Sequence, residues 1–293
     1  MMRHVSLALA LAGCCLLLSG CSWVKERVFY QAGKDAYHKR DYTRAIAYYS
    51  EAILLEPHDA DAYNNRGLAY HAKGDNDRAM MDFDQAIQLN PQDAQAYNNR
   101  GMVYKDKGDY EKAIADYDQA IQLDAKLVPA YNNRGLADHA MGDNDRAIVD
   151  FDQAIQINPR DAKAYVNRSL AYRAKHDYAK AIADDNQAIQ IDPRDMHAYN
   201  NLAWDLATCP QAELRDGKKA VEYATKACEL SGWKVPAYMD TLAAACAEAG
   251  DFDDAVKWES QFLETPKLRD QTIADAKSRL ALYQAHQPYH ADK

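Results

Sequence analysis

The tetrapeptide Ala-Tyr-(Asn/Val)-Asn recurs with its tyrosine at Tyr63, Tyr97, Tyr131, Tyr165 and Tyr199, each 34 residues after the last. A fixed period of that length describes a stack of supersecondary units. Each unit is too small to bury its own apolar face, so the core must be laid down between neighbours. Chain length then ceases to set the number of globular domains, because a stack of 293 residues adds units without enlarging any one core. Other columns keep the spacing: Gly67, Gly101 and Gly135, continued by Ser169 and Ala203; Ala79, Ala113, Ala147 and Ala181; Ala86, Ala120, Ala154 and Ala188. Pro57, Pro91, Pro159 and Pro193 close units.

Within a unit, Tyr63, Gly67 and Tyr70 stand at i, i+4 and i+7, one face of a helix (helix A), with the small residue where a second helix must approach closely. Ala79 and Ala86, seven apart, mark that second helix (helix B). Gly74-Asp75, Gly108-Asp109 and Gly142-Asp143 lie between the two, glycine ending helix A in a left-handed residue and aspartate capping helix B. The same register reaches outward. Phe29, Gly33, Tyr37, Ala45, Tyr49, Ala52 and Pro57 make a degenerate first repeat over 29–57, ahead of the clear repeats over 61–194. Variant repeats follow over 196–264: Tyr199, Ala203 and Leu206 open a sixth unit, but its helix B resumes at Ala220, five residues late. Met239, Ala243, Cys246, Gly250 and Ala255 make a seventh unit. Thr265-Pro266 reads as N-cap and first residue of a capping helix over 265–285, leaving 286–293 as a flexible tail.

These columns resemble the tetratricopeptide repeat. The resemblance implies an all-α fold: a right-handed superhelical solenoid of about seven helical hairpins, 29–264, closed by a C-terminal capping helix. It also implies a concave groove lined mainly by helix A, in which such proteins hold other proteins or peptides.

The amino terminus is a separate matter. Met1-Met2-Arg3-His4 is positive, and Val5 to Leu18 is apolar except for Ser6 and Gly13. That run is short of the roughly 20 residues a membrane span needs. Leu18-Ser19-Gly20-Cys21 resembles the lipobox of bacterial lipoproteins. The resemblance implies a signal peptide over 1–20, acylation of Cys21 with palmitate among its chains, and a lipidated tether over 21–28. Ser22, where many inner-membrane lipoproteins carry Asp, favours the outer membrane with the body facing the periplasm. An uncleaved anchor or an ordinary secretory peptide is the alternative. Removing residues 1–20, which carry one charge at Arg3, takes the net charge from -9 to -10, a balance that argues against nucleic acid as a partner.

Two repeating sets of polar residues are candidates for function or bracing. Asn65, Asn99, Asn133, Asn167 and Asn201 form one helix A column, with Asn64, Asn98, Asn132 and Asn200 beside them and Val166 the exception. Asparagine is a poor helix former, and a ladder of amides could grip an extended peptide by its backbone. The alternative is that the amides are copied by repeat duplication and bond between helices. Arg66, Arg100, Arg134 and Arg168 stand sixteen positions before Asp82, Asp116, Asp150 and Asp184. The three units with Ala32, Leu202 and Leu242 at the arginine position also lack the aspartate, so the two columns read as structural ion pairs between helices A and B.

Catalytic and metal-binding constellations are absent from the pattern. The histidines are scattered, and only His286 and His290 stand four apart. Eight of the ten glycines after Cys21 belong to repeat columns, leaving only the isolated Gly217 and Gly232, from which no phosphate-cradling loop can be built. Cys209, Cys228 and Cys246 permit one disulfide, with Cys228 and Cys246 able to meet, although buried thiols suit their columns better. The cationic residues of the family's carboxylate clamp are missing. The expectation is a membrane-anchored scaffold or adaptor of the bacterial cell envelope that binds a periplasmic or envelope protein or peptide and is not an enzyme. It needs no cofactor, metal, nucleic acid or small-molecule substrate. An assembly factor for a secretion or pilus machine is the alternative, with an envelope enzyme behind it.

Overall fold

A computed structural model describes residues 22–291, and every regular element among them is helical. Seven hairpins follow in chain order. They are α1 (Ser22–His38) with α2 (Tyr42–Leu55), α3 (Ala60–Ala72) with α4 (Asn76–Leu89), and α5 (Ala94–Asp106) with α6 (Tyr110–Leu123). Next come α7 (Val128–Ala140) with α8 (Asn144–Ile157), and α9 (Ala162–Ala174) with α10 (Tyr178–Ile191). Last are α11 (Met196–Thr208) with α12 (Gly217–Leu230), α13 (Ala237–Glu248) with α14 (Phe252–Leu263), and the single closing helix α15 (Asp270–Gln284). Cys21 and the signal segment lie outside the described residues.

Capping explains the regularity of the hairpins. Asp41, Asp75, Asp109, Asp143, Asp177, Asp216 and Asp251 each accept the amide three residues on at the start of helix B. Asp59, Asp93, Asp161 and Asp195 cap helix A in the same manner, two residues on. Each such cap contributes about 1 kcal/mol. Gly74, Gly108, Gly142 and Gly250 end helix A with φ of +79° to +87°, where a side chain would be strained.

The helices group into two compact units, residues up to Ala137 and residues from Asp138. In the first, the column alanines Ala45, Ala52, Ala79, Ala86, Ala113 and Ala120 are fully buried, with Tyr49, Phe83 and Tyr117 between them. The glycine column lets these rings in. A Cβ built on Gly33, Gly67 or Gly101 would stand 2.6–2.7 Å from Tyr49, Phe83 or Tyr117 respectively, closer than packed carbons come. The second unit breaks that rule in its own way. Ser169 stands where the glycine belongs and Asp185 where the ring belongs, and Ser169 Oγ donates to Asp185 Oδ1 at 2.8 Å. Arg173 closes the network, its Nη2 3.7 Å from Asp185 and its Nε donating to Asp205 Oδ1 at 2.6 Å. Burial pushes the Asp185 carboxyl well above the ordinary range despite Arg173, and raises Asp205 likewise.

At three places the chain departs from its sequence reading. Residues 22–28, expected as part of the tether, form the first turns of α1, with Glu26 buried beside Asp59. Burial first, and then Asp59, pushes the Glu26 carboxyl above its ordinary value. The closing helix begins at Asp270 rather than at Thr265: Thr265 N donates to Phe262 O as α14 ends, and Lys267 adopts φ +64°. Leu268 in that turn packs on Met239, Phe262 and Ala276. The segment after α15, expected to be flexible, folds back within its unit as far as it is described. Ala291 N donates to Thr208 O at 2.8 Å, His290 Nε2 meets Glu248 Oε2 at 2.7 Å, and Tyr289 packs on Trp204. Backbone and side-chain partners on α11 and α13 outweigh the freedom of a short polar end. Cys209, Cys228 and Cys246 are buried free thiols.

Candidate protein-binding face

The asparagine columns lie on helix A, and in the first unit they bond to one another across hairpins. Asn99 Nδ2 donates to Asn64 Oδ1 at 3.0 Å, and Asn133 Nδ2 to Asn98 Oδ1 at 2.9 Å. Asn65 Nδ2 donates at 2.9 Å to the Tyr30 hydroxyl, which occupies the asparagine position of the first hairpin. Every rung spans 35 residues, one period plus one, so the second amide of each helix A reaches the first position of the helix A before it. Asn64, Asn98 and Asn99 are buried by this arrangement. Much of the hydrogen-bonding capacity of this part of the ladder is taken up in joining hairpins.

The second unit leaves its amides differently disposed. Val166 removes the acceptor that Asn201 would use, and neither Asn167 nor Asn201 makes a side-chain hydrogen bond among the described residues. Asn200 Oδ1 is buried there without a partner. Asn167 and Asn201 are half-buried on α9 and α11, with Tyr165 and Tyr199 two positions before them. Asn132 is half-buried on α7 in the first unit. Half-exposed amides flanked by aromatic rings can take backbone hydrogen bonds from an extended chain.

The arginine column is braced from two sides. Arg66 Nε and Nη2 fork onto Asp82 at 2.8 and 2.7 Å, Arg100 onto Asp116 at 2.8 and 2.7 Å, and Arg168 onto Asp184 at 2.8 and 2.7 Å. The remaining nitrogen turns to helix B of the preceding hairpin. Arg100 Nη1 meets Asp84 at 2.7 Å, Arg134 Nη1 meets Asp118 at 2.5 Å, Arg168 Nη1 meets Asp152 at 2.5 Å, and Arg66 Nη1 meets Ser50 Oγ at 3.1 Å. Arg134 and Asp150 fall in different units. Each guanidinium also faces the tyrosine of its tetrapeptide, 5.4–5.8 Å from the centroids of Tyr63, Tyr97, Tyr131 and Tyr165. The hydrogen bond to Asp116 is the main reason the Arg100 guanidinium holds its proton more tightly than usual, against the opposing effect of burial.

Asp84, Asp118 and Asp152 escape a sequence reading that pairs each arginine once, although they too recur every 34 residues. Lys73, Lys107 and Lys175 share another column, interrupted by Met141; they end helix A and reach Thr43, Asp77 and Asp145 on the preceding helix B. A second buried charge cluster has no repeat signal at all: Arg279 on α15 lies 2.7 Å from Asp240 and 3.3 Å from the fully buried Glu259. Burial, and then the neighbouring Asp240, pushes the Glu259 carboxyl up to about 9. Among the described residues no group of three or more His, Cys, Asp or Glu side chains is placed to hold a metal ion.

Family models described as tetratricopeptide repeats match residues 36–104, 128–161 and 151–183, and one described as TPR repeat matches 101–142. No curated protein matches. Among solved structures, a tetratricopeptide repeat protein from Parabacteroides merdae is 17% identical, over 89% of this chain and 99% of that one, with a TM-score of 0.58. PilF of Pseudomonas aeruginosa is 17% identical over 76% of this chain and 98% of its own, with a TM-score of 0.64. PilW, a widely conserved type IV pilus biogenesis factor, is 16% identical over 73% of this chain and 98% of its own, also with a TM-score of 0.64. At these identities the likeness is one of fold.

Proposed function

The chain is a tetratricopeptide repeat protein, and we propose that it is a lipid-anchored adaptor of the bacterial cell envelope, holding a protein or peptide against its helix A faces. The observation that carries the binding reading is the contrast between the two units. The first unit uses Asn64, Asn65, Asn98, Asn99 and Asn133 to tie hairpins together, whereas the side-chain amides of Asn167 and Asn201 in the second are half-buried and make no hydrogen bond among the described residues. The ligand therefore engages the second unit, along α9 and α11. An extended segment suits a row of amides better than a helix does, because its backbone groups are open. Acylation of Cys21 is supported by the Leu18-Ser19-Gly20-Cys21 sequence, and Ser22 favours the outer membrane. Assembly of a pilus or secretion machine is one service such an adaptor could give.

Two substitutions separate binding from bracing. Asn167→Ala with Asn201→Ala should lower the yield of the protein crosslinked to this chain in cells while leaving thermal stability unchanged. Asn99→Ala with Asn133→Ala should lower stability by about 1–2 kcal/mol through two lost hydrogen bonds. Unchanged crosslinking in the first pair would sink the binding reading. Incorporation of labelled palmitate by the wild type, and not by Cys21→Ser, tests the anchor.

A further inference from the structure

Eight large apolar residues are exposed among the described residues, and three of them, Trp23, Val24 and Val28, fall within six positions at the start of α1. The other five are scattered from Leu54 to Trp233. Trp23 is 68% exposed, an unusual state for the largest apolar side chain. At about 100° per residue, Trp23, Arg27, Gln31, Val24 and Val28 occupy one exposed arc of about 140°. The opposite side of the helix is the packed one, where Glu26, Gly33 and Ala36 are buried.

Charge on this end differs from the rest of the chain. Lys25 and Arg27 stand among the apolar residues, and the one carboxylate in residues 22–34, Glu26, is turned inward and buried. The chain as a whole carries -9. Position matters as well, since α1 begins at Ser22, directly after Cys21, and leaves no loop between them. At 1.5 Å per residue, Val28 lies about 9 Å along the helix from its first residue, Ser22. The headgroup zone of one leaflet is about 5–8 Å deep.

We propose that the first two turns of α1 lie in the headgroup layer of a bilayer containing anionic lipid, an inference that rests on the acylated Cys21 proposed above. Trp23, with an apolar ring system and a polar N–H, sits at the boundary between headgroups and acyl chains. Val24 and Val28 face the acyl chains, and Lys25 and Arg27 meet lipid phosphates. Acyl chains alone would leave the body free to swing on its anchor. A helix that begins at the residue after the acylated cysteine and is itself seated fixes the first hairpin at the membrane surface.

The test uses the full-length lipidated chain in vesicles of phosphatidylethanolamine and phosphatidylglycerol carrying brominated acyl chains, which quench tryptophan fluorescence at short range. The wild type should be quenched, and Trp23→Ser should lose most of that quenching while still floating with the vesicles. Val24→Ser with Val28→Ser, at exposed positions that leave the fold intact, should reduce quenching of the wild-type tryptophan. Equal quenching in wild type and Trp23→Ser, with both bound to vesicles, would overturn the seating and leave the anchor standing. Failure of the wild type to float would overturn the anchor and the seating together.

Discussion

Replacing Arg100 exposes what the double bracing of the arginine column is worth. Its side chain is 21% exposed, Asp116 is 9% exposed and Asp84 is 55% exposed. Breaking a buried ion pair from one side costs about 3–5 kcal/mol, because the remaining charge is left without compensation. Arg100 retains some solvent, so Arg100→Leu should cost about 2–4 kcal/mol, nearly all of it from stranding Asp116. Asp84→Asn removes a partner that is mostly in water and should cost about 0–1 kcal/mol. Asp116→Tyr leaves Arg100 with Asp84 alone and adds bulk, for a loss of about 2–3 kcal/mol. Arg100→Leu with Asp116→Tyr reproduces the combination this chain already uses at Leu202 and Tyr223, both packed in the core of the second unit. The double variant should lie within about 1 kcal/mol of wild type, giving a coupling energy of several kcal/mol. Thermal unfolding reads these losses at about 2–4 °C per kcal/mol, and hydrogen exchange in α5 and α6 localises them. Losses that add to within about 0.5 kcal/mol would mean that Arg100 and Asp116 do not act as a pair.

Three further outcomes follow from the second unit. Asp185→Phe alone should destabilise by about 1–3 kcal/mol, because its ring would meet the Ser169 Cβ, whereas Asp185→Phe with Ser169→Gly restores the arrangement of the first unit and should at least match wild type in chemical denaturation. Glu259 has a folded pKa raised from 4.5 to about 9, so its contribution to stability is complete below the unfolded value and is lost as pH rises towards 9. Glu259→Gln should flatten the fall in melting temperature across that window, and an unchanged slope would place the titration elsewhere. Burial pushes the Cys228 thiol up to about 11 and Cys246 up to about 12, so neither should react with iodoacetamide in native protein at pH 8 until unfolding exposes it; rapid labelling would contradict their burial.

Repetition decides what is legible in this sequence. The hairpins, the left-handed glycines and the pairing of Arg66 with Asp82 all recur at fixed spacing, so each is seen several times over. Asp84 also recurs, but spacing alone does not say that one guanidinium serves two helices. The asparagine column shows the opposite difficulty. Its period is plain, yet a side-chain amide that ties Asn64 to Asn99 and one that awaits a ligand have the same period, and only the geometry of each rung tells them apart. Features that occur once leave no pattern: the inward turn of Glu26, the turn at Lys267 and the bond from Ala291 to Thr208 depend on tertiary partners. Val166 is the instructive exception. A single break in a column is visible in the sequence, but its consequence, an Asn201 side chain without its rung, requires knowing that the rungs run between hairpins.

Photo-crosslinking in living cells from position 201, on helix A of the sixth hairpin, against position 183, exposed on helix B of the fifth, tests the central claim most directly. Adducts of defined mass are expected from position 201, lost when Asn167 is also replaced by Ala, and none of that mass from position 183. Equal adducts from both positions, or none from 201 in intact cells, would contradict a ligand held on the helix A face.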